Sequence, residues 1–174
     1  MTYCLLDASA LVLFYQQANA RLEQIFRHKA ENKAFIYLPQ FCVPEVFNTF
    51  ARLRFREKRI DEQQYTEYRD IFSQHISNRK ILYCYDLHRY HNLNAHEIFE
   101  IEHTVPYNGT KAMSTFDILI IAMDMELMKV HPPKQVVIVT GDKRIAMICR
   151  SSDRFPQPIV VTDRRVSIKS AGKR

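Results

Sequence analysis

Apolar positions in this chain alternate between short unbroken runs and sets spaced three or four apart. Residues 3–6 (Tyr3, Cys4, Leu5, Leu6) form a continuous run, as expected of a strand buried on both faces of a parallel sheet. Asp7 ends the run, and Ser9 is placed to cap a helix carrying Leu11 to Phe14. Leu22, Ile25 and Phe26 give residues 20–33 a helical face. Residues 34–38 read as a second strand, stopped by Pro39. A helix then spans 41–59, with Pro44 in its first turn and Val46, Phe47, Phe50 and Leu53 at helical spacing. Asp61 caps a further helix over 62–77.

The second half repeats the alternation. Residues 80–85 read as a third strand, 88–103 as a helix, and 104–113, with Pro106, Asn108 and Gly109, as the one long loop. The stretch from Ser114 to Met123 is apolar all round except at its front edge, which predicts a buried helix rather than a surface one. Ser114 or Thr115 can cap it, and Asp117 falls in its first turn, where a negative charge suits the helix dipole. Pro132 and Pro133 end it. A strand over 136–139, a helix over 143–151 opening at Asp142, and a short strand over 159–161 complete the pattern. Strands alternating with helices predict an α/β fold, with a five-stranded parallel sheet flanked by helices.

Composition narrows the class. The chain has 174 residues, 47% hydrophobic and 25% charged, which suits one ordinary globular domain with a real core. No apolar run approaches the roughly 20 residues needed to cross a bilayer, so no membrane association is expected. The first residues lack a basic region and a long apolar core, so no secretory signal is expected. Cys4, Cys42, Cys84 and Cys149 are far apart and form no CxxC pair; they read as reduced thiols of a cytoplasmic protein. Three glycines leave no GxGxxG or P-loop, which argues against a nucleotide cofactor. The net charge of +6 tolerates a polyanionic partner, and residues 164–174 add a basic C-terminal tail to a domain over 1–163.

The chemistry rests on four acids at the edges of these elements: Asp7, Glu45, Asp117 and Asp142. Ligands of open parallel sheets gather beyond the carboxyl ends of the strands, where the strand order reverses. Asp7 and Asp142 follow two such ends, and Glu45 and Asp117 open helices. Carboxylates gathered there repel one another until a proton or cation intervenes. Hard oxygen ligands without nearby His or Cys select Mg²⁺ or Mn²⁺, which can polarise a phosphate and supply an attacking water. Each acid also has an ordinary reading as a helix cap, strongest for Asp142. Asp124, seven residues after Asp117, reads as a peripheral acid. His88, His91, His96 and His103 show no HExxH-like spacing and read as solvated or partly buried side chains. Arg52, Arg56 and Arg59 share a helical face after Glu45. It reads either as a solvated face or as a track leading the phosphates of a polyanion to the acids. Phe41, Phe47, Phe50 and Phe55 read as core rather than as base-stacking platforms.

With these residues the sequence resembles the PIN-domain ribonucleases, which include the VapC-type toxins. The matching residues are Asp7, Ala8 and Ser9 after the first strand, Glu45, the run Phe116 to Ala122, and Val139 to Asp142. The likeness extends over roughly residues 3–162. It implies a single PIN-like nuclease domain that cleaves single-stranded or structured RNA with Mg²⁺ or Mn²⁺. Asp7, Glu45, Asp117 and Asp142 would be the acidic metal ligands and catalytic residues. Ser9 and Thr140 would be polar supports, with Arg52 and Arg56 toward the substrate. The resemblance leaves open a toxin held by a small antitoxin protein, a homodimer, and a stand-alone RNA-processing nuclease. Relative to a minimal VapC-type toxin the chain is longer, mainly over 92–113 and in the basic tail.

Three other readings compete. A phosphoryl-transfer signalling domain of flavodoxin-like topology would use Asp86 at the end of the third strand and Thr140 at the end of the fourth. It would also need an acidic pair after the first strand, which is absent. An aspartate-nucleophile phosphatase would use Asp7, but position 9 is Ser where that class carries a second Asp. A noncatalytic PIN-fold scaffold would keep the fold alone.

Overall fold

The computed structural model describes residues 1–163, and the basic tail over 164–174 lies outside the described residues. Five parallel strands form one sheet: β1 (Thr2–Leu6), β2 (Ala34–Pro39), β3 (Tyr83–Tyr85), β4 (Val136–Thr140) and β5 (Gln157–Val160). Their order is β3-β2-β1-β4-β5. Seven α-helices among the described residues connect and cover them: α1 (Ala8–Tyr15), α2 (Ala20–Ala30), α3 (Cys42–Ala51), α4 (Glu62–Asn78), α5 (Arg89–Thr104), α6 (Thr115–Val130) and α7 (Lys143–Arg150). The chain leaves β1 toward β2 on one side and returns past it to β4 on the other. The switch point therefore lies between the carboxyl ends of β1 and β4. A flavodoxin-like sheet has order 2-1-3-4-5, so the strand order excludes that topology for the rival readings. Asp86 follows β3, the edge strand, two strands away from the switch point.

The central strands are buried because both faces are covered. Cys4, Leu5, Leu6, Ile36, Leu38, Val136, Ile138 and Val139 are all at most 1% exposed. The apolar helix at the heart of the pattern is α6, whose Ile118 to Met123 are all buried. It packs along α5 and against β4, and α1 packs against α3.

Several element ends differ from expectation, each for a local reason. The cap of α1 is Asp7 rather than Ser9: its Oδ1 accepts the Ala10 N–H at 2.7 Å. Ser9 falls inside the helix and turns its hydroxyl to other work. The third strand begins only at Tyr83, after Arg79 in a left-handed conformation ends α4. The fifth strand spans 157–160 rather than 159–161, because Gln157 to Val160 pair with Val137 to Thr140 of β4. The helix expected over 41–59 is α3 followed by a π-helical segment, Arg52–Arg56. There the Glu57 N–H reaches the Arg52 carbonyl at 2.9 Å, five residues back. Leu53 stays in the core through this wider turn, and Lys58, at φ 50°, ends it. No helix among the described residues is long and apolar enough to cross a membrane.

One clamp ties the long loop to the site edge. Arg144, on α7 two residues after Asp142, is 2% exposed and ion-paired to buried Glu102 of α5 at 3.0 Å. Its guanidinium also donates to the carbonyls of Glu102 (2.7 Å), Val105 (2.9 Å) and Pro106 (2.8 Å), satisfying groups at the C-terminal end of α5. The Tyr107 ring lies 4.4 Å from it. The start of α7, and with it Asp142, is held against α5 and the loop that follows.

Candidate acidic centre at the switch point

Asp7 stands in the crevice that the strand order creates. It is buried, and its backbone N–H donates to the Val139 carbonyl of β4 at 3.1 Å. Its Oδ1 accepts from the Ser9 hydroxyl (2.8 Å) and the Ala10 N–H, and its Oδ2 accepts a short hydrogen bond from the Thr140 hydroxyl. Burial pushes its carboxyl up to about 6 against the pull of these donors, and the charge of Asp142 adds to the rise. The polar supports form a chain across the switch point. The Asp142 N–H donates to the Thr140 hydroxyl oxygen (2.9 Å), and the Gly141 N–H to that of Ser9 (2.9 Å). A Cβ at Gly141 would lie 2.7 Å from Ser9 Oγ, so this approach requires glycine.

The other three acids open helices. Asp142 caps α7, accepting from the Arg144 and Ile145 N–H groups through Oδ1. Asp117 completes a capping box on α6: its Oδ2 accepts from the Ser114 N–H (2.8 Å) and hydroxyl (2.7 Å). Glu45 lies in the first turn of α3, its carboxyl raised by partial desolvation and then by the charge of Asp117. Buried Cys42 lies among them. Its thiol is pushed up by burial first, then by Asp7 and Glu45, and more weakly by Asp117. The chain through Thr140 thus joins Asp7 to Asp142, while Glu45 feels the charge of Asp117.

Their donor set can be tested against a divalent cation. As the side chains lie, no three His, Cys, Asp or Glu among the described residues converge on one point. Mg²⁺ does not require that: it takes one or two carboxylates and keeps several waters. Among the described residues Glu45 accepts no hydrogen bond, and Asp117 and Asp142 each use a single oxygen in capping. Three of the four therefore combine a fixed backbone position with carboxylate oxygen left over. The set is all hard oxygen and fits Mg²⁺ or Mn²⁺ better than a soft metal.

Beside the acids lies an open cleft of about 680 Å³, and Glu45, Ser9 and Gly141 form part of its wall. Asn48, Thr49, Arg52 and Arg59 add polar and basic groups. Arg52 is paired with Glu57 at 3.0 Å, and Arg59 with Asp163 at 3.4 Å. Arg56 is exposed and outside the cleft lining, so the expected arginine stripe splits: Arg52 faces the acids' cleft and Arg56 does not. Asn48 and Thr49 were not legible as site residues, because polar positions on a helix flank read as solvated surface. Asp124 is not peripheral. It is fully buried on α6, neither carboxylate oxygen has a hydrogen-bond partner among the described residues, and burial raises its carboxyl well above the usual range. His91 is buried and hydrogen-bonded to the Tyr85 hydroxyl at 3.1 Å, while His88, His96 and His103 are exposed.

No family model matches the sequence, and no curated protein matches it. The solved structures similar in fold to this chain include two. One is VapBC2 from Rickettsia felis bound to a DNA fragment from their promoter, with 14% identity, TM-score 0.60, and coverage of 91% of this chain and 98% of that one. The other is PAE2754 from Pyrobaculum aerophilum, with 14% identity, TM-score 0.46, and coverage of 99% and 97%. With its all-parallel β3-β2-β1-β4-β5 sheet and its match to the VapBC2 chain, this chain has a VapC-like PIN fold.

Proposed function

We propose that this protein is a metal-dependent endoribonuclease that hydrolyses phosphodiester bonds of single-stranded RNA. The observation that carries the reading is the hydrogen-bonded chain through Thr140 that sets Asp142 beside the buried Asp7 at the sheet's switch point, with Glu45 and Asp117 in the first turns of α3 and α6. Asp7, Glu45, Asp117 and Asp142 would hold Mg²⁺ or Mn²⁺. The bound cation would supply charge neutralisation at the phosphate and a lowered pKa for the attacking water. The rest of the work belongs to the chain. Thr140 and Ser9 fix the Asp7 carboxylate in one orientation, and Ser114 does the same for Asp117. Arg52, Asn48 and Thr49 line the adjoining cleft, where they can donate to phosphate and ribose oxygens.

Two observations disfavour a side-chain nucleophile. Both oxygens of Asp7 already accept hydrogen bonds in a buried site, which suits a fixed ligand and not an attacking group. Asp86 lies on the edge strand, away from the acids. The likeness to a VapBC chain further suggests a small antitoxin protein as partner, with the chain acting as the toxin of the pair.

The test is paired. End-labelled single-stranded RNA is incubated with the protein in Mg²⁺, Mn²⁺ or EDTA, and the intact protein is weighed after exposure to acetyl phosphate. Cleavage only with metal and no mass gain are expected. Uncut RNA together with a phosphate-sized adduct on Asp7 or Asp86 would replace this reading with a phosphoryl-transfer one.

A further inference from the structure

We infer that the ring pair Phe41–Phe116 is a stacking platform for one base of the RNA whose backbone lies at the acids; this rests on the nuclease reading above. Phe116 is 58% exposed, and it directly precedes Asp117. Its ring centroid is 5.2 Å from that of Phe41, at a 38° tilt. Phe41 directly precedes Cys42, the thiol that feels Asp7, Glu45 and Asp117. The two rings therefore stand on the same two helix starts that carry Glu45 and Asp117.

Core packing accounts for Phe41 but not for the exposed ring of Phe116. Phe41 occupies the cap position of α3 and makes no side-chain cap bond there, where Ser, Thr, Asp or Asn would stabilise the helix. It is half-buried and packs on the core, so it is a fixed support. Phe116 leans on it and leaves most of its surface to water, at a hydrophobic cost that a core ring does not carry. The occupant we commit to is a nucleobase. A phosphodiester held at the acids brings its own base within reach, and unstacked bases of single-stranded RNA are captured on aromatic faces. Stacking of this kind is tolerant of sequence and weakened by alanine substitution at the ring. The net charge of +6 favours the same polyanion.

The test uses the full chain and single-stranded RNA decamers carrying 2-aminopurine stepped through each position, titrated with Ca²⁺ in place of Mg²⁺ so that a hard cation still bridges the acids and the phosphate. Wild type and Phe116→Trp should quench the fluorophore at one position. Phe116→Ala should bind roughly tenfold more weakly and lose that quench. Phe41→Leu, which keeps an apolar support, should reduce the quench while the protein remains folded by circular dichroism. An abasic residue at the responsive position should weaken wild type by the same factor and leave Phe116→Ala unaffected. Wild-type affinity and quench in Phe116→Ala would overturn the platform. So would a Phe116-dependent dimer in sedimentation with RNA affinity unchanged, or no RNA binding by the wild type. RNA bound and quenched, yet uncut in Mn²⁺, would overturn the nuclease reading and leave the platform standing.

Discussion

At the scale of single residues, Asp7 and Asp124 show how one side-chain type takes two roles from its surroundings. Asp7 is buried but receives three hydrogen bonds, so its carboxyl rises only to about 6. Asp124 is buried with none, beneath β1 and α7, where its neighbours include the thiols of Cys4 and Cys149 and, more weakly, the Tyr85 hydroxyl. Its folded-state pKa is raised above an unfolded value near 3.9, so the native state binds the extra proton. Stability is then greatest below the unfolded pKa and falls as pH rises through the folded one. Asp7 adds a decline of the same sign that is spent once pH passes about 6, so the comparison belongs above that. Asp124→Leu should raise neutral-pH stability by about 1–3 kcal/mol and flatten the remaining decline, as measured by urea unfolding across pH. A less stable variant with an unchanged pH profile would show that the buried acid has a partner.

At the scale of elements, the helix starts and the π-helical segment shape the site. α1 and α7 each open on an acid that caps its own helix, α6 opens on Ser114 with Asp117 completing its capping box, and α3 carries Glu45 in its first turn. Capping uses only one carboxylate oxygen each in Asp117 and Asp142, so the cap role leaves the other oxygen to the proposed ligand role. The π-helical turn keeps Leu53 in the core while Arg52 lines the cleft. Arg52→Ala should weaken single-stranded RNA binding and lower the slope of log affinity against log salt by about 0.7, the value for one lost phosphate contact. Arg56→Ala, outside the cleft, should change the slope less. Equal slopes for wild type and Arg52→Ala, by fluorescence anisotropy, would leave Arg52 as a partner of Glu57 only.

At the scale of the whole molecule, the strand order brings Asp7 of the first strand's end and Asp142 of the fourth's to one edge of the sheet. The apolar runs and their spacing were enough to read five strands, seven helices and the buried character of α6. The acids were legible because each follows a strand end or opens a helix. Other features left no local sign. Asp7 and Ser9 are both competent caps two residues apart; Asp7 takes the cap, while the Ser9 hydroxyl bonds Asp7 and Gly141. A π-helical turn has no distinct apolar period over five residues. The Arg144–Glu102 pair joins positions 42 apart, and its burial follows from packing of α7 on the loop after α5. Asp124 looked peripheral because an acid inside an all-apolar helix does not tell which neighbours it meets. A divalent cation bound across the switch point would stabilise the fold as a unit. Saturating Mg²⁺ or Mn²⁺ should add about 2.7 kcal/mol at a hundredfold excess over Kd, seen as a raised Tm, and Asp7→Asn should lose much of that gain.

The most direct test of the central claim is the cleavage rate of Asp117→Asn on end-labelled single-stranded RNA in Mn²⁺, measured beside wild type and with the Tm of each recorded. Asn keeps the side-chain oxygen that accepts from Ser114 and so keeps the start of α6, but it removes one negative charge from the acidic set. An unchanged fold, RNA binding near that of wild type and cleavage reduced at least a hundredfold are expected, on the order of removing one group that acts in the transition state. Cleavage at the wild-type rate by folded Asp117→Asn, or metal-independent cleavage by the wild type, would contradict the claim.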